Sequence, residues 1–391
     1  MTAGFKLAER LDLPGYPFAE LERRASAIRA EGKPVYNLSI GDPDLPPPQF
    51  VVDEIRRALD DPQAHLYPSS RGDREVRRSV ALWFKGRFGV ELDPDRQVCV
   101  LNGAKEGLAN LARAVVNPGD EVAIPDPAYP VYGRAGCRLV EGKPRLLPLD
   151  PDRGFLPDLN RAAGARLLYL NYPNNPTGAA ATDQLLLDLA ELAESDPNLT
   201  IAYDMAYGEL KFDYPSRSLL EFTPKVVEFH SMSKMANATG FRVGFAVGDA
   251  DRISALVKAK EEMDSGVPLP FQRGLAALLD SYQGPNPPDV IIKSREVYHY
   301  RKQRLTWALE HLGFQVFRSP ATFYIWFKVN TEEMGFIENA LRQGILLTPG
   351  SAFGPGGRGW VRASVTAPDE AIDAAIRILI GESPPPQNLR E

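Results

Sequence analysis

The sequence predicts an α/β protein with a mostly parallel sheet, joined to a smaller α+β unit. Three observations carry this. Short β-like runs alternate with stretches of helical periodicity, and polar, Gly- and Pro-rich segments follow one strand after another, as at the ligand-binding edge of an open α/β sheet. A boundary cluster, Gln283-Gly284-Pro285-Asn286-Pro287-Pro288, then separates this part from a differently patterned C-terminal segment. At 391 residues the chain is too long for one ordinary core.

The elements follow in order. Phe18 to Glu31 has helical spacing at Phe18, Leu21, Ala25 and Ile28 and stops at Gly32-Lys33-Pro34; a short strand, Val35 to Ile40, then runs into Gly41-Asp42-Pro43-Asp44. A glycine at a strand end lets backbone approach a ligand closely, so Gly41 is a candidate. Helices over Val51 to Leu59 and Glu75 to Phe88 flank Tyr67, whose position alone does not choose between packing and a site. Strand Gln97 to Leu101 leads through Asn102-Gly103-Ala104-Lys105-Glu106-Gly107 into a helix with the apolar face Leu108, Leu111, Ala112 and Val115. Free backbone N–H groups and the positive end of the helix dipole make that turn an anion site, to which Lys105 adds charge.

Strand Glu121 to Ile124 ends in a Pro-rich loop carrying Tyr129 and Tyr132, aromatic rings able to stack on a flat heterocycle. Strand Arg166 to Leu170 ends in Asn171-Tyr172-Pro173-Asn174-Asn175-Pro176-Thr177-Gly178, before a helix from Asp183 to Glu194. Strand Thr200 to Tyr203 delivers Asp204, with Tyr207 three residues on, and strand Val226 to His230 delivers Ser231 and Lys234. Beyond helices Asp251 to Lys260 and Val290 to Leu312 come strands Phe314 to Phe317 and Phe323 to Val329. Helix Ile337 to Arg342, a Gly-rich turn at Pro349 to Gly359, strand Trp360 to Val365 and helix Asp369 to Leu379 complete the chain, with no internal repeat.

Composition excludes several function classes. A formal charge of −6 gives no basic field for nucleic acid or anionic lipid. Two cysteines, Cys99 and Cys137, and four scattered histidines suit reduced cytosolic thiols rather than a disulfide framework or a metal site. Met1 to Arg10 lacks a long apolar core, and no run approaches the roughly 18 apolar residues of a spanning helix, which predicts a cytoplasmic location. The polar tail Glu382 to Glu391, with Pro384-Pro385-Pro386, is predicted to be mobile.

The chemistry concentrates in Ser231-Met232-Ser233-Lys234-Met235-Ala236-Asn237-Ala238-Thr239-Gly240-Phe241-Arg242-Val243-Gly244, read as a Gly-punctuated loop between strands Lys225 to His230 and Phe241 to Val247. One amine sits among phosphate binders. Pyridoxal 5'-phosphate needs this combination: a lysine that forms an imine with the aldehyde, and hydroxyl and guanidinium groups that hold the phosphate. The fork of Arg242 suits a phosphate bidentately. Alone, the segment would be read as a surface lysine and arginine in a polar loop. The other strand-end segments, falling along one sheet edge, favour a single site.

Together these segments, with Leu38 to Asp44, Asp264 to Val267 and Ala321 to Trp326, make the chain similar to class I pyridoxal-phosphate-dependent aminotransferases of the aspartate aminotransferase fold (fold type I) over nearly its whole length. Within that family it most resembles LL-diaminopimelate aminotransferases. The resemblance implies a large domain, residues 49–284, with a seven-stranded sheet sandwiched by helices, and a small domain formed by residues 1–48 and 285–391. It implies that Lys234 forms the imine and shuttles the Cα proton, that Asp204 pairs with the pyridinium nitrogen, that Asn175 and Tyr207 hydrogen-bond the phenolic oxygen, and that Tyr129 stacks on the ring. Gly103, Ala104, Lys105, Ser231 and Arg242 would hold the phosphate, joined by Tyr67 from the other subunit of a homodimer. Arg362 would clamp the substrate α-carboxylate, assisted by the Gly41 backbone and Asn175.

The leading expectation is transamination between an L-amino acid and a 2-oxo acid, with 2-oxoglutarate and glutamate as one pair. A β-lyase or other lyase on the same fold would use the same lysine and ring contacts. A pyridoxal-phosphate-sensing regulator lacks its basic DNA-binding extension here. Diaminopimelate, aspartate, alanine and aromatic substrates stay open, because loop residues read the side chain.

Overall fold

A computed structural model describes residues 6–13, 19–213 and 215–381. Phe18 and the tail from Glu382 lie outside the described residues. The strands are β1 (Tyr36–Asn37), β2 (Val98–Leu101), β3 (Glu121–Asp126), β4 (Lys143–Pro148), β5 (Leu167–Asn171), β6 (Thr200–Asp204), β7 (Val227–Ser231), β8 (Gly244–Gly248), β9 (Gln315–Phe317), β10 (Tyr324–Lys328), β11 (Ile345–Leu346), β12 (Thr348–Pro349) and β13 (Trp360–Ser364). Seven form one sheet in the order β2-β8-β7-β6-β5-β3-β4. β8 runs antiparallel to β2 and β7, while the other pairs are parallel.

The central strands read as unbroken apolar runs because both faces of this sheet are covered. Alternate residues feed opposite cores. Leu168, Leu170, Ile201, Tyr203, Phe245 and Val247 pack with Val76, Val80, Phe84, Leu275 and Leu278 from helices Arg74–Phe88 and Leu269–Asp280. Leu167, Tyr169, Ala202 and Phe229 pack on the other side with Leu108, Leu111 and Leu256 from helices Ala104–Val115 and Ala250–Glu261. The polar residues at the carboxyl ends of the parallel strands therefore share one edge.

A separate core gathers Leu21, Ala25 and Leu38 with Leu305, Leu309, Phe323, Ile325, Phe327, Ile337, Val361 and Ile376 around the antiparallel sheet β12-β13-β10-β9. The parallel pair β1-β11 ties the N-terminal segment to it. Helix Asp289–His311 crosses between the cores, with Ile291 in the first and Leu305 and Leu309 in the second. Among the described residues no helix is long and apolar enough to cross a membrane.

Several elements differ from expectation for identifiable reasons. Lys234 stands on a short helix, Met232–Met235, not in a loop; Ser231 caps it by accepting from the Ser233 N–H at 3.3 Å. β8 begins at Gly244, three residues later than predicted, because Thr239–Phe241 is a 3₁₀ turn and Arg242 takes a left-handed φ of 54°. Helix Leu269–Asp280 was not foreseen, its start obscured by Pro268 and Pro270, which a first turn tolerates. Edge strand β4 was missed because Pro144 and Pro148 interrupt a mostly exposed run.

Candidate active site

Two turns at one edge of the sheet, after β2 and between β7 and β8, build an anion cradle. After β2, Gly103 (φ 81°) starts helix Ala104–Val115 without a side-chain cap, so its first N–H groups face the cleft. A β-carbon on Gly103 would stand 2.5 Å from Nη2 of Arg242. Arg242 comes from the turn before β8, where Nη1 donates to the Thr239 carbonyl at 2.9 Å. Ala104, Lys105, Ser231, Ser233, Thr239 and Arg242 line the same cleft of about 280 Å³.

Opposite the cradle lies a buried acid. Asp204, at the end of β6, is only 4% exposed. Its Oδ2 accepts from the Tyr132 hydroxyl at 2.8 Å and its Oδ1 from the Ala206 N–H at 2.9 Å. Burial pushes its pKa up, against those two hydrogen bonds and the charge of His230. Asn171 donates to the Asp204 carbonyl and accepts from the Asn175 N–H, both at 2.8 Å, which sets the ends of β5 and β6 in register. Tyr207 meets Tyr324 hydroxyl to hydroxyl at 3.0 Å, and burial raises its pKa well above the usual phenol value.

Between these groups stands Lys234, whose Nζ donates to the Gly41 carbonyl at 2.5 Å. Burial brings its pKa down to about 8; Asp42 opposes this, while Arg362 and Arg242 reinforce it. The amine is therefore partly neutral near neutral pH, the form that attacks a carbonyl or takes a proton.

Arg362 is the second cation of note. It is 4% exposed on β13, with Nη1 donating to Asn175 Oδ1 at 2.7 Å and Nη2 to the Ser39 carbonyl at 2.5 Å. Its guanidinium lies 4.1 Å from the Tyr324 ring centroid and 4.7 Å from that of Phe353. Among the described residues no carboxylate pairs with it, and its buried Nε has no hydrogen-bond partner. A buried guanidinium without an anion calls for one from outside.

Of the predicted residues, Gly41, Ala104, Lys105, Tyr129, Asn175, Asp204, Tyr207, Ser231, Lys234 and Arg242 line one cleft. Arg362 lines the adjoining space together with Gly41, Tyr129, Asn175, Tyr207 and Lys234. Gly103 acts from behind, through Arg242. Tyr67 lines neither space and is 90% exposed. Sequence reasoning missed the roles of Tyr132, Asn171, Tyr324 and Phe353. Tyr132, Asn171 and Tyr324 stood in segments already singled out, but their contacts did not show there; in the structure a β-carbon on Gly41 would lie 1.9 Å from the Tyr324 hydroxyl.

A strand-end site on this fold, with a lysine of lowered pKa, a buried acid, an anion cradle and a buried guanidinium without a carboxylate partner among the described residues, suits a transferase for amino acids. The comparisons agree: the family model for aminotransferase class I and II matches residues 33–379, and the chain belongs to that family. It is an aminotransferase, an enzyme that moves an amino group between an amino acid and a 2-oxo acid, in a family whose members use pyridoxal phosphate. The chain is 41% identical to LL-diaminopimelate aminotransferase from Aquifex aeolicus, covering 96% of this chain and 98% of that one. It is 39% identical to the enzyme of that name from Dehalococcoides mccartyi, over 95% and 97%. Among solved structures, substrate-bound BacF from Bacillus subtilis superposes with a TM-score of 0.88 at 29% identity, covering 96% of this chain and 97% of that one. A mutant of Thermus thermophilus aspartate aminotransferase gives 0.89 at 26%, over 96% and 98%.

Proposed function

We propose that this aminotransferase binds pyridoxal phosphate through Lys234 and transfers the amino group of LL-diaminopimelate to 2-oxoglutarate. The donor set fits the cofactor: an uncapped helix start and Arg242 for a phosphate, a buried carboxylate for a pyridinium, and an amine of lowered pKa for an aldehyde. When bound, the group supplies an electron sink for charge developing at the substrate Cα. The remaining work falls to side chains. Asp204, oriented by hydrogen bonds from Tyr132 and the Ala206 N–H, would pair with the ring nitrogen; Asn175 and Tyr207 would donate to the phenolic oxygen, and Tyr129 would cover the ring. Lys234 Nζ takes the Cα proton and returns it. Arg362 binds the α-carboxylate, with the Gly41 backbone beside it.

The observation that carries the reading is Arg362: a buried guanidinium with no carboxylate partner among the described residues, lining the space that adjoins the cleft at Lys234. One anion site for the cofactor phosphate and one for the substrate α-carboxylate, with the amine between them, would orient the Cα–H bond relative to the cofactor ring, and orientation is a large share of the rate. The choice of LL-diaminopimelate is supported by relatives of that name at 39% and 41% identity. We place residues 49–284 in a large domain and residues 1–48 and 285–391 in a small one, in keeping with the separate cores. The active form is a homodimer in which Tyr67, 90% exposed on its own chain, completes the partner's phosphate site. Its free, buried Cys99 and Cys137 suit the cytoplasm.

Borohydride reduction of the reconstituted enzyme, followed by peptide mass spectrometry, is expected to place the tag on Lys234; a tag elsewhere refutes the assignment. A panel of amino donors with 2-oxoglutarate is expected to rank LL-diaminopimelate first in kcat/KM. A higher rank for aspartate, alanine or an aromatic amino acid removes the substrate claim alone.

A further inference from the structure

Tyr324, almost wholly buried, touches both halves of the site and lines the space that holds Arg362. The sequence places it there: β10 pairs antiparallel with β13, Tyr324 opposite Ser364 and Trp326 opposite Arg362, so Tyr324 and Arg362 are diagonal neighbours on one face. Its approach is fixed from several sides. The Tyr324 N–H donates to Thr322 Oγ1 at 3.1 Å, and the fully buried Lys302 Nζ holds the preceding turn by donating to the Ala321 and Thr322 carbonyls at 2.6 and 3.1 Å. At its tip only a glycine at position 41 leaves room for the hydroxyl. The ring carries the Arg362 guanidinium at 4.1 Å, and the hydroxyl meets Tyr207 at 3.0 Å.

Proton counting gives that last contact a direction. A tyrosine has one O–H to donate. Where Tyr207 donates to the cofactor's phenolic oxygen, as in the function proposed above on which this inference rests, the proton in the 3.0 Å contact belongs to Tyr324. A hydroxyl that accepts a hydrogen bond becomes a stronger donor itself.

We propose that Tyr324 is a positioning residue of the transamination site: its hydroxyl donates to Tyr207 and strengthens the Tyr207 contact with the cofactor, while its ring holds Arg362 flat for the substrate carboxylate. The two functions separate by substitution. Tyr324→Phe removes the donor and keeps the ring; Tyr324→Leu removes both.

The test uses full-length enzyme reconstituted with pyridoxal phosphate, and reads the pH midpoint of its visible absorbance and the affinity for propionate as a simple carboxylate probe. Weakening donation to the phenolic oxygen destabilises the deprotonated form of the imine, so Tyr324→Phe is expected to raise the midpoint by about half a pH unit, the scale of one cooperative hydrogen bond. Tyr207→Phe raises it further, and the double variant matches Tyr207→Phe alone, because Tyr324 acts through Tyr207. Propionate affinity stays within about twofold in Tyr324→Phe and falls roughly three- to tenfold in Tyr324→Leu, the range of a lost cation–π contact. Gly41→Ala, which displaces the same hydroxyl, shifts the midpoint in the same direction should Tyr324→Phe fail to fold. If Tyr207→Phe moves the midpoint but Tyr324→Phe does not, or if the two shifts add, the proposal is overturned while the cofactor placement stands. A midpoint unmoved by Tyr207→Phe overturns the placement itself and the proposal with it.

Discussion

Replacing Arg362 by lysine isolates the value of its fork, since the charge is retained. In the structure Nη1 and Nη2 each spend a hydrogen bond on Asn175 Oδ1 and the Ser39 carbonyl, at 2.7 and 2.5 Å, and the remaining N–H groups, Nε among them, stay available. A lysine has three donors, and the same two buried acceptors would claim two of them, leaving at most one for the substrate carboxylate. The loss is one of two charge-assisted hydrogen bonds, about 1.5–3 kcal/mol, plus part of the stacking between Tyr324 and Phe353, about 0.5–1 kcal/mol. The total of about 2–4 kcal/mol predicts a roughly thirty- to thousandfold fall in kcat/KM. The carboxylate is bound before and during the chemical step, so most of the fall belongs in KM. Single-turnover half-reactions with the pyridoxal form, followed over a range of amino acid concentrations, separate the two constants. A variant within threefold of the wild type, or one that loses kcat at unchanged KM, would refute the assignment of Arg362 as a carboxylate clamp.

Lys234→Met is expected to stabilise the cofactor-free protein at pH 7. The native amine has a pKa of about 8 against 10.5 in the unfolded chain, so the unfolded state binds more protons between those values and wild-type stability rises with pH across that window. Below pH 8 the full cost applies, on the order of 3 kcal/mol, and urea unfolding should show the advantage of the Met variant fading towards pH 10; an advantage independent of pH would show that the amine is not held by desolvation. Gly103→Ala drives a β-carbon to within 2.5 Å of Arg242 at a φ of 81°, and equilibrium dialysis should show pyridoxal phosphate affinity falling about tenfold or more, the scale of a 1–3 kcal/mol backbone strain. Unchanged affinity would place the phosphate elsewhere.

The strand-end polar groups were legible because a doubly covered parallel sheet leaves little choice: its strands read as apolar runs, and a polar residue closing such a run lies on the open edge. Asp204 and Ser231, which close β6 and β7, were placed on that edge this way, Lys234 by its segment of hydroxyl and guanidinium groups, and the helix start at Gly103 by its turn chemistry. Contacts made by side chains far apart in sequence were not legible. Tyr132 reaching Asp204 depends on how the turn after β3 packs over the end of β6, Tyr324 reaching Arg362 on the register of β10 with β13, and Tyr324 reaching Tyr207 on how β10 is set against the large sheet, none of which a local pattern encodes. Phe353 was hidden for a related reason. Its Gly-rich turn reads as a flexible loop, yet Asp126 accepts from the Gly356 N–H, and Glu333 from the N–H groups of Ser351 and Gly359, so distant carboxylates make it a fixed wall.

The run from Leu38 to Asp42 is what relates the Lys234 amine to the Arg362 guanidinium. Its carbonyls accept from both: Gly41 from Lys234 and Ser39 from Arg362. The same run is bound to the second core, with the Ser364 N–H donating to the Leu38 carbonyl at 2.7 Å, and Thr348 and Thr366 hydroxyls donating to Ser39 and Ile40, each at 2.8 Å. Arg362 belongs to that core too, whereas Lys234 belongs to the large sheet. A shift of one core against the other would therefore carry Arg362 and Gly41 together and change their distances to Lys234 and to Asn175. Substrate geometry at Cα thus depends on one backbone segment with two sets of anchors, which accounts for a glycine at position 41 that no β-carbon could replace without moving Tyr324.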